Sequence, residues 1–130
     1  HGGLHHVVDK LDTALMRTII AGSRSVHDLN EVLIAVLEAP WVPTSVVSGT
    51  ARGADRLGEQ FAHDFSLPVT RFPADWSAHG KRAGFLRNKE MAEHADALVA
   101  LWDGHSRGTK SMIDIAAAKG LAVHVRMVQA

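Results

Sequence analysis

The chain has no cysteine and no tyrosine, no net charge, and no apolar run of the length a membrane helix requires. Each absence removes a class of protein. Without cysteine there is no disulfide scaffold, no thiolate zinc site and no thiol nucleophile. Fourteen Lys and Arg are balanced by fourteen Asp and Glu, so bulk positive charge is not available to coat a nucleic acid, and only a local basic patch would recruit one. The apolar runs fall short of the roughly 18 residues that span a bilayer. The N-terminal stretch lacks the basic region and apolar core of a signal peptide. The expectation is a cytoplasmic protein of a reducing compartment, with no membrane partner.

What is present is enough for one domain: 130 residues, 46% of them hydrophobic and 22% charged. A chain of this size buries roughly two-thirds of its unfolded surface, so a core forms without staples. Nine histidines make its charge sensitive to pH between about 5 and 7. Residues 1–15 read as a separate arm: Leu4, Val7, Val8, Leu11 and Leu15 fall at helical spacing. His1, His5 and His6 lie on that arm, and no metal site is expected of them. The domain proper is read as residues 16–130, starting at Met16.

From there short apolar runs alternate with helix-period segments. Strands are expected at Arg17–Ala21, Ser45–Ser48, Val69–Phe72, Ala97–Trp102 and Ala122–Met127. Helices are expected from Val26 to Leu37, around Leu57–Phe65, over Leu86–His94 and over Thr109–Lys119, with Ala74–Gly84 as a long loop. Near-continuous apolar strands alternating with helices indicate a parallel sheet covered on both faces. The predicted fold is an α/β, Rossmann-like three-layer sandwich with a mainly parallel five-stranded sheet.

In such a sheet ligands bind beyond the carboxyl ends of the strands. The residues there are Gly22-Ser23-Arg24, then Ser48-Gly49-Thr50-Ala51-Arg52-Gly53-Ala54-Asp55, Ala74-Asp75-Trp76, and Asp103 through Thr109 with Arg107 and Gly108. Glycine lets backbone N–H groups approach an anion, helix N-termini offer unpaired donors, and Arg supplies a forked counter-charge. Together they point to a phosphate-bearing ligand, although Gly and Ser also build ordinary strand-to-helix turns. Two standard motifs are absent. The first turn has one glycine where a dinucleotide fingerprint needs three. Gly104-His-Ser-Arg-Gly108-Thr-Lys110-Ser111 is one residue short of a P-loop and has Thr109 before the Lys.

These blocks, with Ala83-Gly84, Arg87-Asn88, Glu90-Met91, Ala95-Asp96-Ala97 and Arg107-Gly108-Thr109-Lys110, resemble the SLOG superfamily of the SMF/DprA and Lonely Guy proteins, in its small YspA-like bacterial and phage branch. The resemblance covers residues 16–125 and implies a Rossmann-like fold that binds nucleotides or nucleotide-derived molecules, often as a homodimer or higher homo-oligomer. It also implies a bacterial or phage-infected host. In the Lonely Guy enzymes an acid follows the phosphate loop within three residues and works with an Arg on the preceding helix. Here Arg87 matches the Arg, but Lys110, Ser111 and Met112 fill the acid's window, and Asp114 comes a turn later.

The sequence therefore points first to a nucleotide-binding or sensing module. Phosphate falls to Gly49, Thr50, Arg87, Gly108 and Thr109, the base or sugar to Asp75 and Trp76, and Gly22, Ser23, Arg24, Arg52, Gly53, Asn88, Asp103 and Arg107 are further candidate ligand contacts. Asp55 is a candidate contact that also satisfies the helix dipole. Arg52 and Arg56 open a helix where the dipole alone would prefer an acid, which favours a nearby anion. The alternative is an N-glycosidic hydrolase using Arg87, with Asp75, Glu90 or Asp114 as the acid. A third reading, single-stranded DNA bound through Lys81, Arg82, Arg87 and Lys89, is weakened by the even charge and the 5% aromatic content. No cofactor and no metal enter any of these readings.

Overall fold

The computed structural model describes residues 15–130; the N-terminal arm up to residue 14, with its three histidines, lies outside the described residues. Five strands, β1 (Arg17–Gly22), β2 (Ser45–Ser48), β3 (Val69–Arg71), β4 (Ala97–Trp102) and β5 (Ala122–Met127), form one sheet in the order β3-β2-β1-β4-β5. Every pairing is parallel. The helices are α1 (Leu29–Glu38), α2 (Ala54–Asp64), α3 (Trp76–His79), α4 (Ala83–Glu93) and α5 (Arg107–Lys119), with a 3₁₀ turn at Gly80–Arg82.

The strand residues alternate between two cores. Ile20, Val46, Val99 and Leu101 pack with Val32, Ala35 and Val36 of α1 and Phe61 and Ala62 of α2. Ile19, Ala21, Val47, Leu98 and Ala100 pack with Met91 and Ala92 of α4 and Met112 and Ala116 of α5. Both faces of β1 and β4 are therefore covered, the situation that makes a parallel strand apolar throughout. Each fully buried Ile or Leu on these strands contributes about 1.5–3 kcal/mol of transfer free energy. The edges differ. β3 has only three residues, with Thr70 and Arg71 exposed, a short edge that offers little to a stray strand.

The segment expected to be a loop, Ala74–Gly84, is instead mostly helical. Asp75 caps α3, its Oδ1 accepting from the Ala78 N–H at 3.1 Å, and Gly80 turns the chain with φ +57°. No residue of α3 or the 3₁₀ turn is buried, so no apolar period marks it. α4 then begins at Ala83 rather than Leu86. α1 begins three residues later than its apolar period suggests, because Asp28 caps it through the Asn30 N–H, and Val26 is buried ahead of it.

β1 and β4 lie side by side, yet the chain leaves them for opposite ends of the sheet. Their carboxyl ends therefore open a crevice, the position at which open α/β sheets bind ligands.

Candidate functional site

A cavity of about 560 Å³ fills that crevice. Its floor is Ala21 and Gly22 at the end of β1; its walls come from the N-terminal ends of α2 and α5 and from α3 and α4. A second cavity of about 380 Å³ adjoins it over the loop Gly49–Arg52, with Arg24, Ala51, Trp76 and Arg87 lining both.

Close backbone packing builds the floor. A Cβ on Gly22 would stand 2.3 Å from the Leu101 carbonyl oxygen, so only glycine lets β1 leave the sheet this close to β4. Gly53, the residue before α2, has φ +82°, and a Cβ there would lie 2.5 Å from the Ser23 carbonyl oxygen. Ser23 itself is buried and ties strands together. Its N–H donates to the Leu101 carbonyl at 2.9 Å, and its Oγ accepts from the Asp103 N–H at 3.1 Å. The loop after β2 is braced from beneath. The Ser48 hydroxyl donates to Glu59 Oε2 at 2.6 Å, accepts from the Thr50 N–H at 3.1 Å, and Glu59 Oε1 holds Arg71 at 2.8 Å. Thr50 sits at φ +65°, an uncommon place for a β-branched residue, in the loop that separates the two cavities.

Arg87 is the central cation. Half-buried on α4, its Nη1 donates to the Gly49 carbonyl and its Nε to Asn88 Oδ1 at 3.0 Å. Burial lowers its pKa and the Asp55 carboxylate partly restores it. Asn88 is buried and reaches the Gly108 carbonyl through Nδ2 at 3.4 Å, linking α4 to α5. Asp55 is 5% exposed, and burial pushes its carboxyl up to about 6 despite the opposing pull of Arg87 and of backbone N–H groups. Gly49 stands between the two: a Cβ there would lie 2.7 Å from Asp55 Oδ2 and 2.8 Å from Arg87 Nη1. Trp76 is 58% exposed and presents its ring to both cavities.

The structure brings Gly22, Arg24, Asp55, Trp76, Arg87, Asn88, Asp103, Arg107, Gly108 and Thr109 to the larger cavity and Gly49, Thr50 and Arg52 to the smaller. Others are placed elsewhere. Ser23 and Gly53 are scaffold, as described. The Asp75 carboxylate caps α3 and is held below its usual range by the Ser77 hydroxyl and the Ala78 N–H. Glu90 is exposed and lines neither cavity. Asp114 pairs with Lys110 at 2.9 Å on the outer side of α5. Asp103 is held low by N–H groups of Ser106 and His105.

Phe85, Met91, Ser106, Ser111 and Met112 also line the larger cavity without being singled out by the sequence as ligand contacts, and Lys81, expected from the sequence only as a single-stranded-DNA contact, lines it with them. A signal for α4 does exist: Gly84, Asn88 and Met91 recur at i, i+4 and i+7, one helical face beside Arg87. Glu90 lies on the far flank of that face.

Residues 16–79 match the family described as YAcAr, the YspA, cpYpsA-related SLOG family. The chain is also similar to the Gene 61 protein of Mycobacterium phage D29, 35% identical over 119 residues, covering 84% of this chain and 94% of the relative. No solved structure matches it. No helix among the described residues is long and apolar enough to cross a membrane. With a five-stranded parallel sheet in Rossmann-like order and a near full-length phage relative, the chain belongs to the YspA-related SLOG family.

Proposed function

We propose that this chain binds a nucleotide or nucleotide-derived molecule in the larger cavity, its phosphate met by Arg87, Lys81 and Arg107 between the N-terminal ends of α2 and α5. One observation carries the reading: Arg87 is drawn into the crevice and fixed by the Gly49 carbonyl, which orients its guanidinium without cancelling its charge. A fixed, partly desolvated guanidinium between helix N-termini is a phosphate receptor by its chemistry. Trp76 and Phe85 supply aromatic faces for a base, and Met91 and Met112 supply apolar floor. The volume lies within the usual range for small-molecule sites, about 300–1,000 Å³.

A thermal-shift panel of nucleoside 5′-monophosphates, di- and triphosphates and cyclic dinucleotides tests it. A ligand at about 100 times its Kd adds roughly 2.7 kcal/mol, a shift of more than about 5 °C in a domain this size. Arg87→Ala removes a charge-assisted contact of about 1.5–3 kcal/mol, which weakens binding about 10- to 100-fold. No shift with any nucleotide sinks the reading.

A second reading, N-glycosidic hydrolysis, is favoured by Asp55, the buried carboxylate beside Arg87. With a pKa of about 6 it is largely ionised near neutrality and can take a proton from water as its oxygen bonds C1′ and the C1′–N bond breaks, the base leaving with the electron pair and gaining its proton from solvent. Release of base with ribose 5-phosphate, abolished in Asp55→Asn with binding retained, distinguishes an enzyme from a sensor.

A further inference from the structure

Of the nine arginines among the described residues three are neutralised by carboxylates and six form no ion pair; of those six, Arg107 lines only the larger cavity and Arg82 lines neither. Arg17, Arg71 and Arg126 are neutralised on the surface, by Asp96 at 2.9 Å, by Glu59 at 2.8 Å, and by Glu31 and Glu38 at 2.9 Å. Arg24, Arg52, Arg56 and Arg87 form no ion pair among the described residues, and all of them line the smaller cavity. No carboxylate lines it with them; the remaining lining is Gly49, Thr50, Ala51, Pro73, Ala74 and Trp76. The anchors of these guanidinium groups among the described residues are uncharged: Arg56 Nε donates to the Thr50 carbonyl at 3.3 Å, and Arg87 donates to the Gly49 carbonyl and to Asn88 Oδ1. Four like charges gathered with a single carboxylate nearby, the buried Asp55 beside Arg87, and two of them beside the positive end of a helix, raise the energy of the empty site and lower it when an anion enters.

We infer that this compartment takes a second anionic group of the same ligand. The ligand is then a nucleotide with two separated phosphate groups, not a nucleoside monophosphate. The inference rests on the nucleotide reading above and sharpens it. Geometry supplies the link, because Arg24, Ala51, Trp76 and Arg87 are common to both cavities. A nucleoside crossing that rim against Trp76 places one phosphate near Arg87, Lys81 and Arg107 and the other among Arg24, Arg52 and Arg56. Planar, forked guanidinium groups suit a terminal phosphate better than a single ammonium does.

The experiment is calorimetric titration of the full chain with the nucleoside 5′-monophosphates, the matching 3′,5′-bisphosphates and the 5′-phosphorylated dinucleotides. It is run on the wild type, on Arg52→Gln/Arg56→Gln, and on Lys110→Gln/Lys119→Gln. Arg52 and Arg56 are exposed, so the first variant should keep its fold, checked by its melting temperature. The last pair is exposed on α5 and lowers net charge equally but lines neither cavity, so it controls for bulk attraction. The expected result is that a doubly phosphorylated class binds at least about tenfold more tightly than its monophosphate. That gain disappears in Arg52→Gln/Arg56→Gln, where monophosphate affinity stays within about twofold, and survives in Lys110→Gln/Lys119→Gln. Monophosphates that bind with no gain from the second phosphate overturn the inference alone. So does a gain that persists without Arg52 and Arg56. If no nucleotide of any class binds the wild type, the nucleotide reading falls and takes this inference with it.

Discussion

The two helix ends that face the larger cavity satisfy their backbone in opposite ways. At α5 the chain caps itself: Ser106 Oγ accepts from the Thr109 N–H at 3.3 Å, and Asp103 Oδ1 accepts from the N–H groups of His105 and Ser106 at 2.8 Å each. At α2 the capping position is Gly53, which has no side chain to offer, and the acid of the first turn, Asp55, is turned inward beside Arg87. Arg52 and Arg56 stand at that same end, against the helix dipole. One terminus is a finished wall. The other is held in place by tight packing and left with an excess of positive charge, the arrangement that an incoming anion improves.

The contrast breaks first at Gly53. A methyl there meets the Ser23 carbonyl oxygen at 2.5 Å and the Arg24 Cα at 2.7 Å, and both are backbone atoms that cannot swing aside. A left-handed φ adds about 1–2 kcal/mol and overpacking about 1–3 kcal/mol, so Gly53→Ala should lose about 3 kcal/mol and melt about 10 °C lower. A melting temperature within a degree or two of wild type would mean that the α2 end is not fixed by packing at all.

Asp55 gives the next largest effect, and its sign follows from burial. Its carboxyl rises from 3.8 to about 6 in the folded chain, so between those values the folded state keeps a proton that the unfolded state has lost. The unfolded state binds fewer protons there, and stability falls as pH rises from about 4 to about 6. At 1.36 kcal/mol per pKa unit the loss approaches about 3 kcal/mol. Asp55→Asn does not titrate. Denaturant melts should therefore show its stability gaining about 2–3 kcal/mol on wild type between about pH 4 and pH 7.5. A pH-independent difference would mean that solvent reaches the carboxyl freely. At the self-capped end the effect is smaller: Ser106→Ala removes the cap of α5 and should cost about 1 kcal/mol in the same melts.

Much of this architecture is legible in the sequence alone. The run Ala97–Trp102 coincides with β4, because a strand packed between two helical layers writes itself as an unbroken apolar stretch; the shorter valine-marked segments Ser45–Ser48 and Ala122–Met127 coincide with β2 and β5, the latter an edge strand whose His124 and Arg126 pair with Glu38 and Glu31. α3 leaves no such trace, being exposed throughout, and Lys81 beside it reads in the sequence only as part of a basic surface, not as a cavity residue. At the site, the rule that ligands meet the carboxyl ends of strands leads to Gly22, Arg24, Arg107 and Gly108 directly. Asp55 is visible too, but its place in the first helical turn invites reading it as a surface dipole partner. It shares the buried face of α2 with Gly58 and Ala62, at i+3 and i+7, and that spacing is the mark of an interior carboxylate. The arginine compartment is harder to see, because it draws on the ends of β1, β2, β3 and on α4 at once, and no local pattern records that convergence.

Gly108 should show the smallest change in stability, and it separates wall from receptor. It lies in the first turn of α5, and a Cβ there meets nothing within 4 Å. Gly108→Ala should hold or gain up to about 0.5 kcal/mol, since alanine restricts the unfolded chain and favours the helix. Gly108 also lines the larger cavity, so a methyl there would crowd a phosphate approaching the backbone of α5. If the 5′-phosphate of the ligand rests between both helix ends, affinity for the monophosphate drops roughly tenfold while the melting temperature does not fall. An affinity that stays unchanged moves the phosphate wholly to the α2 side and makes α5 a spectator wall. Either result assigns the open glycine of α5 a role that the crowded glycine of α2 cannot have, because Gly53 has no room to face a ligand.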